Sequence, residues 1–443
     1  MRGVSPSGRD DEHFVSWFRA VTPYVHAFRG KTFVIAFGGQ VVAGGFLKTL
    51  AYDVNLLASL GIRLVLVHGA RPQIEEALRE KNLESIYHRG YRITDAQALD
   101  CVLDAVGSVY LEIEAMLSQG LPNTPMANSR IRVIGGNFII GQPIGVLDGI
   151  DMQYAGKVRK VDTEGMNAQL GLGNIVLLNC EGPSPTGEIF NLPGEEVAEA
   201  VAIALKADKL MFLTDSCGVT DKDGALLNAM TADEAENMPR DGHWLSPDIR
   251  RCLPCSCRAT RAGVGRVHLI GYAQDGALLK ELFSHDGIGT VITRESLENI
   301  REAKPDDIAA LIALIEPMEQ EGILVHRPRE LLEREIGHFS IMLHDGIVVG
   351  CAALYPHSDE DAELACLAVS PEHREEGYGE QLMRRVEQRA QKLGMKRLCV
   401  LTTRTEHWFV ERGYRLGTVD DLPAQKRDMY NYQRRSKVLF KML

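Results

Sequence analysis

The sequence predicts two α/β domains in tandem: a doubly wound, mostly parallel sheet over residues 30–292, then a smaller α/β domain over residues 304–443. Three observations carry this reading. Short apolar runs ending in glycine alternate with amphipathic stretches through the first two thirds of the chain, the pattern of parallel strands joined by helical crossovers. Residues 293–303 are short and charged, as expected of a linker. Beyond them the apolar run Leu364–Val369 leads into His373-Arg374-Glu375-Glu376-Gly377-Tyr378-Gly379-Glu380, a glycine-rich opening to a helix.

Each element follows from local pattern. Residues 1–29 form an N-terminal arm, with Phe14, Phe18, Val21 and Val25 at helical spacing and Pro23 expected to interrupt the helix. Thr32–Phe37 and Ile62–Val67 read as strands ending at Gly38-Gly39 and His68-Gly69. Ile175–Leu178 and Lys209–Leu213 add two more, with an amphipathic helix at Glu195–Ala207. The second domain opens with a helix, Pro305–Met318. Strands Phe339–Leu343, Val348–Leu354, Glu363–Val369 and Arg397–Leu401 follow, with a hairpin turn at His344-Asp345-Gly346.

Composition narrows the function classes. The 443 residues are 45% hydrophobic and 25% charged, as in globular domains. No run of about 18 apolar residues occurs, so neither a membrane span nor a membrane partner is expected. The polar first residues do not read as a signal peptide. A net charge of −11 without a basic run argues against nucleic acid as partner. Nine irregularly spaced cysteines point to reduced thiols and a cytoplasmic location. Cys252, Cys255 and Cys257 cluster, but only His268 offers a fourth ligand, so a turn with incidental thiols and no metal is expected.

The glycine-rich segment suits a pyrophosphate. A helix starting near Gly377 leaves the N–H groups of Glu376, Gly377, Tyr378 and Gly379 free to meet an anion, aided by the helix dipole. Glycines 377 and 379 admit close approach, and Arg374 adds a fixed charge at the rim. Arg-x-x-Gly-x-Gly after a strand resembles the acetyl-CoA loop of the GCN5-related N-acetyltransferases. That resemblance implies acetyl-CoA as co-substrate, bound by Leu367, Ala368, Val369, Arg374, Glu375, Glu376, Gly377, Tyr378, Gly379 and Glu380.

Residues 30–292 resemble the amino-acid kinase fold of the acetylglutamate kinases. The matching pieces include Phe33-Val34-Ile35-Ala36-Phe37-Gly38-Gly39, Val67-His68-Gly69-Ala70-Arg71-Pro72-Gln73-Ile74 and Ala207-Asp208-Lys209-Leu210-Met211-Phe212-Leu213-Thr214-Asp215. The departures matter more. Ala36 stands where those kinases carry lysine, Gly69-Ala70-Arg71 replaces a glycine triplet, and Asn191-Leu192-Pro193-Gly194-Glu195 replaces a further motif. Losing several charge-stabilising groups, each worth about 10²–10³ in rate, predicts no kinase activity. Similarity to the arginine-sensitive kinases implies instead an L-arginine site involving Tyr24, Lys206, His268, Asp275, Glu281 and Gly287. The same likeness implies a homo-oligomer, a hexamer being expected, built through the N-terminal helix.

The order kinase-like then acetyltransferase-like resembles the bacterial N-acetylglutamate synthases. Leu401-Thr402-Thr403-Arg404, Trp408-Phe409, Arg412-Gly413-Tyr414 and the tail Tyr430–Lys437 carry that likeness. It implies transfer of acetyl to the α-amine of L-glutamate. An ammonium has no lone pair, so a base must first take its proton, and the resemblance places Glu363 in that role. An N–H near Leu367, Ala368 or Val369 would meet the oxyanion. Phe409 fills the slot where many relatives have a proton-donating tyrosine, leaving Thr402, Thr403 or water as acid. Two carboxylates on the substrate call for two cations, assigned to Arg327 and Arg434 with Leu324 and Ser436 beside them; whether His326 or Arg327 reaches substrate is open. The alternatives are a non-catalytic arginine sensor, or an acetyltransferase with another acceptor such as a protein lysine.

Overall fold

A computed structural model describes residues 8–119, 131–239, 244–284, 287–294, 298–344, 346–374, 377–428 and 430–443. Strand β1 (Thr32–Phe37) is buried along its whole length, as a strand covered on both faces must be. Its alternate residues feed two cores. Phe33, Ile35 and Phe37 join Leu64 and Leu66 of β2 (Arg63–His68), while Val34 and Ala36 join Val65 and Val67. The sheet continues with β3 (Val133–Ile134), β4 (Ile175–Leu178), β5 (Lys209–Thr214), β6 (Ala229–Thr231), β7 (Arg266–Gly271) and β8 (Thr290–Thr293). Their order is β6-β8-β7-β5-β1-β2-β4-β3, parallel except for the β7–β8 pair. This is the expected doubly wound sheet.

The chain divides into two compact units, 1–295 and 296–443. The second holds a seven-stranded sheet. Its strands are β9 (Glu298–Glu302), β10 (Phe339–His344), β11 (Ile347–Pro356), β12 (Asp361–Val369), β13 (Arg397–Thr402), β14 (Arg415–Gly417) and β15 (Lys437–Met442). They lie in the order β9-β10-β11-β12-β13-β15-β14. The helix Tyr378–Lys392 packs Leu382, Met383, Val386 and Ala390 on one face, and the helix Ile308–Gln320 packs Leu311, Ile315 and Met318 on the other.

Three expectations are corrected. Residues 293–303 are not a plain linker, because they contain β9, an edge strand antiparallel to β10. Charged residues are what a sheet edge carries to discourage further pairing, and they read as linker in sequence. Pro23 does not interrupt the first helix, which runs from Gly8 to Phe28. Proline deprives the Arg19 carbonyl of its helical partner, and both residues are exposed, so water can serve instead. Cys252, Cys255 and Cys257 lie not in a turn but as buried thiols on the helix Pro247–Arg261. Among the described residues no group of three or more His, Cys, Asp or Glu side chains is arranged to hold a metal, and no helix is long and apolar enough to cross a membrane.

Candidate active site

The centre of the second sheet opens. Strands β12 and β13 run parallel but pair only from Asp361↔Arg397 to Glu363↔Cys399. Beyond that point β13 stays with β15 as far as Thr402↔Lys437, while β12 stays with β11 to Gly350↔Val369. Residues 364–369 therefore face a gap on the β13 side, where backbone N–H groups lack strand partners. A register shift between Cys351 and Ala353 coincides with a left-handed backbone at Cys366 (φ +50°), so β12 carries a bulge there. Leu367, Ala368 and Val369 lie just past this bulge.

After β12 the chain makes a short turn at Pro371–His373 and enters the helix Tyr378–Lys392. Gly377, at its N-cap, has φ +77°, a conformation that any side chain would strain. Gly379 has less need to be glycine: a Cβ there would sit 3.5 Å from Trp408, ordinary contact. Arg374 is exposed at the rim. Tyr378 adds more than an amide, since its ring is buried and its hydroxyl lies 2.6 Å from Nδ1 of His344, with His373 stacked on His344 at 5.3 Å. Glu380 is already engaged. Its N–H donates to the Gly377 carbonyl, and its carboxylate pairs with Arg384 and with Arg412 at 3.2 Å. Glu375 and Glu376 lie outside the described residues.

Glu363 is buried beside the gap. Its Oε2 is 3.2 Å from Nε2 of His357 and 2.6 Å from Nζ of Lys426. Burial pushes the carboxyl up, but the hydrogen bond from His357 and the charge of Lys426 outweigh it and hold the group below its ordinary value. Arg327 is half-buried, its Nη1 donates to the Val325 carbonyl at 2.9 Å, and it feels the charges of Cys366, Tyr355 and Glu363. His326 points outward, 77% exposed and 2.7 Å from Glu319. Of the two, Arg327 is the one whose charge reaches Glu363. Arg434 donates to the carbonyls of Gly322 (3.3 Å) and Ile323, next to Leu324. Burial and then the charge of Arg327 pull its guanidinium below its usual value. Ser436 is half-buried, and its carbonyl accepts from the Tyr430 hydroxyl at 2.8 Å.

Thr402 ends β13, where its hydroxyl lies 2.7 Å from that of Thr405 and accepts from the Thr405 N–H at 3.1 Å. Thr403 is exposed beside it. Phe409 is a core side chain against Tyr414, with no proton to give. Sequence reasoning missed His357, Lys426, Tyr355 and Cys366. None belongs to a motif, and Lys426 reaches Glu363 from a five-residue helix, Ala424–Asp428, far along the chain.

In the first unit, Glu281 is not a solvated helix charge. It is buried, 2.6 Å from Nδ1 of His268, and accepts from the N–H groups of Ile288 (2.7 Å) and Gly289 (2.9 Å). Lys209 completes the group, its Nζ 3.1 Å from Nε2 of His268. Burial first, then the charge of neighbouring Arg266, brings this lysine down to about 7. Tyr24 lies at a ring distance of 6.1 Å from Phe28, over whose ring the Lys209 ammonium sits. Gly287 has φ +62°, and a Cβ on it would stand 2.7 Å from the Glu281 carboxylate. Lys206 and Asp275 are both exposed, Lys206 in the turn before β5 and Asp275 before the helix Ala277–Phe283.

A separate cleft opens at the carboxyl ends of β1 and β2, lined by Ala36, Arg71, Arg92, Asn191, Glu195 and Arg251 among others. The side chains of Gln40 and Gln73 lie against Gly38 and Gly39, in the space a Cβ would take. Arg251 is bound to Glu195 at 2.9 Å and to Asp248.

Known proteins share both units. Residues 31–271 match the amino acid kinase family, and residues 308–417 match the acetyltransferase (GNAT) family. An amino-acid acetyltransferase from Ralstonia nicotianae is 50% identical over 439 residues, covering 99% of this chain and 97% of the relative. One from Azotobacter vinelandii is 49% identical over 432 residues, covering 97% and 99%. The crystal structure of N-acetylglutamate synthase from Neisseria gonorrhoeae complexed with coenzyme A and L-arginine superposes with a TM-score of 0.90 at 40% identity, covering 97% of this chain and 99% of that one. The same Neisseria enzyme complexed with coenzyme A and N-acetyl-glutamate gives 0.63 at 41% identity, with the same coverage. A parted central sheet with a glycine-capped helix beyond it, fused to an amino-acid kinase fold and shared over almost the whole length of these relatives, places the chain in the family of amino-acid acetyltransferases.

Proposed function

We propose that the chain transfers acetyl from acetyl-CoA to the α-amine of L-glutamate, giving N-acetyl-L-glutamate and CoA, the first step of arginine biosynthesis. The observation that carries this reading is Arg327, whose charge reaches both a second guanidinium, Arg434, and a buried carboxylate, Glu363. Two guanidiniums suit a substrate with two carboxylates and would repel a protein lysine. Leu324 and Ser436 flank them.

Glu363 takes the ammonium proton, directly or through water, and the freed amine attacks the thioester carbonyl. An N–H of Leu367, Ala368 or Val369, exposed where β12 leaves β13, donates to the developing oxyanion. The leaving thiolate collects a proton from Thr402, Thr403 or water. Arg374, Gly377, Tyr378, Gly379 and Glu380 form the cradle for the pyrophosphate of acetyl-CoA, Gly377 being fitted to it by its left-handed backbone. No metal takes part.

L-Arginine acts on the first domain as feedback inhibitor through Tyr24, Lys206, His268, Asp275, Glu281 and Gly287. The arginine in the Neisseria complex supports this assignment. Val15 and Phe18, 44% and 60% exposed on the first helix, offer an apolar strip for a homo-oligomer, with a hexamer as our assignment. Nine free thiols fit a cytoplasmic enzyme, and no nucleic acid or membrane partner is assigned.

The test is thiol release from acetyl-CoA with glutamate, glutamine or lysine as acceptor, with and without arginine. Release that depends on glutamate and responds to arginine supports the assignment. Equal release with all three acceptors, or with none, overturns it.

A further inference from the structure

The segment 321–328 joins the helix Ile308–Gln320 to the helix Arg329–Glu335 and carries two candidate substrate residues, Leu324 and Arg327. It is tied down at both ends. At its start Gly322 takes a left-handed backbone (φ +71°), and the Met318 carbonyl accepts from the N–H groups of Ile323 (2.8 Å) and Leu324 (3.1 Å). Arg434 holds the same stretch from the tail, through the carbonyls of Gly322 and Ile323. At its end the tie is the carboxylate of Glu319, whose side chain is only 7% exposed. One oxygen, Oε1, accepts from the Arg327 N–H at 2.9 Å, and the other, Oε2, lies 2.7 Å from Nδ1 of His326.

One carboxylate thus fixes two successive residues and sorts them. The exposed His326 ring is drawn onto Glu319, while the Arg327 backbone is set by its N–H. Arg327 Nη1 donates to the Val325 carbonyl, so the guanidinium moves with the segment that Glu319 holds. A carboxylate accepts a stronger bond from an N–H than a neutral oxygen does, and water competes little at so buried a side chain. Two-pronged pairing of a guanidinium with a carboxylate tolerates little error in position.

Resting on the reading of Arg327 as a guanidinium for a substrate carboxylate, we propose that Glu319 is a positioning residue of the glutamate site, holding the Arg327 backbone so that its side chain is presented to substrate. Glu319 acts through Arg327, so its loss falls on the binding of glutamate and not on the chemical step. What matters is an oxygen at the right reach, more than the charge. Glutamine keeps that oxygen in place, whereas aspartate draws it back by one methylene.

The experiment measures kcat and KM for glutamate and for acetyl-CoA in the full-length protein and its Glu319→Ala, Glu319→Asp, Glu319→Gln and Arg327→Met variants, with the double variant Glu319→Ala, Arg327→Met. Glu319→Ala should raise KM for glutamate by about 10–100-fold, the scale on which a misplaced binding group is felt, with KM for acetyl-CoA unchanged. Glu319→Asp should do likewise, and carries the same test where the alanine variant does not fold. Glu319→Gln should recover most of the affinity. In the Arg327→Met background Glu319→Ala should add little to KM, because the residue through which Glu319 acts is gone. Unchanged KM for glutamate in the alanine and aspartate variants, or a glutamine variant no better than alanine, overturns the positioning role. So do effects that multiply in the double variant, or a parallel rise in KM for acetyl-CoA. An unchanged KM for glutamate in Arg327→Met overturns the substrate assignment beneath it, a result distinguishable from failure of Glu319 alone.

Discussion

Glu363 and Cys399 are the last residues that β12 and β13 hold opposite one another. The carboxylate therefore stands at the apex of the opening, where a pairing strand becomes a strand with free amides. On the proposed reading, one position serves both the deprotonation of an amine and the entry of a thioester.

Glu363→Gln should lower kcat by about 10²–10⁴-fold, the usual worth of a positioned base. The same substitution tests a stability effect. The folded carboxyl lies below its ordinary 4.5 because His357 and Lys426 outweigh burial. A depressed carboxylate stabilises the fold above its unfolded value, and that contribution disappears as pH falls through the folded one. Thermal melting of the wild type should thus fall in acid below about 4.5, and the variant should show less of that fall.

Arg434→Met should raise KM for glutamate by about 10²-fold or more and erase most of the preference over glutamine, as expected when one of two guanidiniums is lost. The Arg434 side chain also bonds the carbonyls of Gly322 and Ile323, so melting should be followed alongside kinetics to separate binding from folding.

Tyr378→Phe removes the hydroxyl that meets His344 at 2.6 Å. The loss should cost about 1 kcal/mol, since both groups are mostly shielded from water. KM for acetyl-CoA should rise, because the ring sits in the first turn of the helix capped by Gly377. An unchanged KM would show that the phosphate cradle does not need this anchor.

Gly287→Ala should weaken the response to arginine by more than tenfold in half-effective concentration. The backbone at φ +62° disfavours a side chain, and a Cβ would press on the Glu281 carboxylate at 2.7 Å. Initial rates across an arginine titration measure this.

The first domain should not phosphorylate acetylglutamate from ATP. Ala36 carries no charge, Gln40 and Gln73 lie against the glycine pair, and Arg251 is held by Glu195 and Asp248. Ala36→Lys alone should not restore transfer, as a radioactive phosphate assay would show.

The parallel sheet was legible because its buried strands are continuous apolar runs closed by glycine, as in Thr32–Phe37 followed by Gly38-Gly39. The helix after Gly377 was legible for the same reason, a backbone conformation that demands glycine. What could not be read is long-range. Lys426 meets Glu363 only because the helix Ala424–Asp428 folds back, and no spacing rule links them. His357, just past the end of β11, belongs to no motif. The left-handed backbone at Cys366 left no trace, since cysteine is not a residue that announces such a kink. Edge strand β9 was hidden by its charges, which belong on an edge as readily as in a linker.

The most direct measurement is a competition: acetyl-CoA labelled with ¹³C in the acetyl group, presented with equal glutamate, glutamine and lysine, and the products resolved by NMR. A pocket made of Arg327, Arg434 and Glu363 predicts N-acetylglutamate in about 10²-fold or greater excess, labelled on the α-nitrogen. Comparable acetylation of glutamine, or labelling of the lysine side chain, would contradict it.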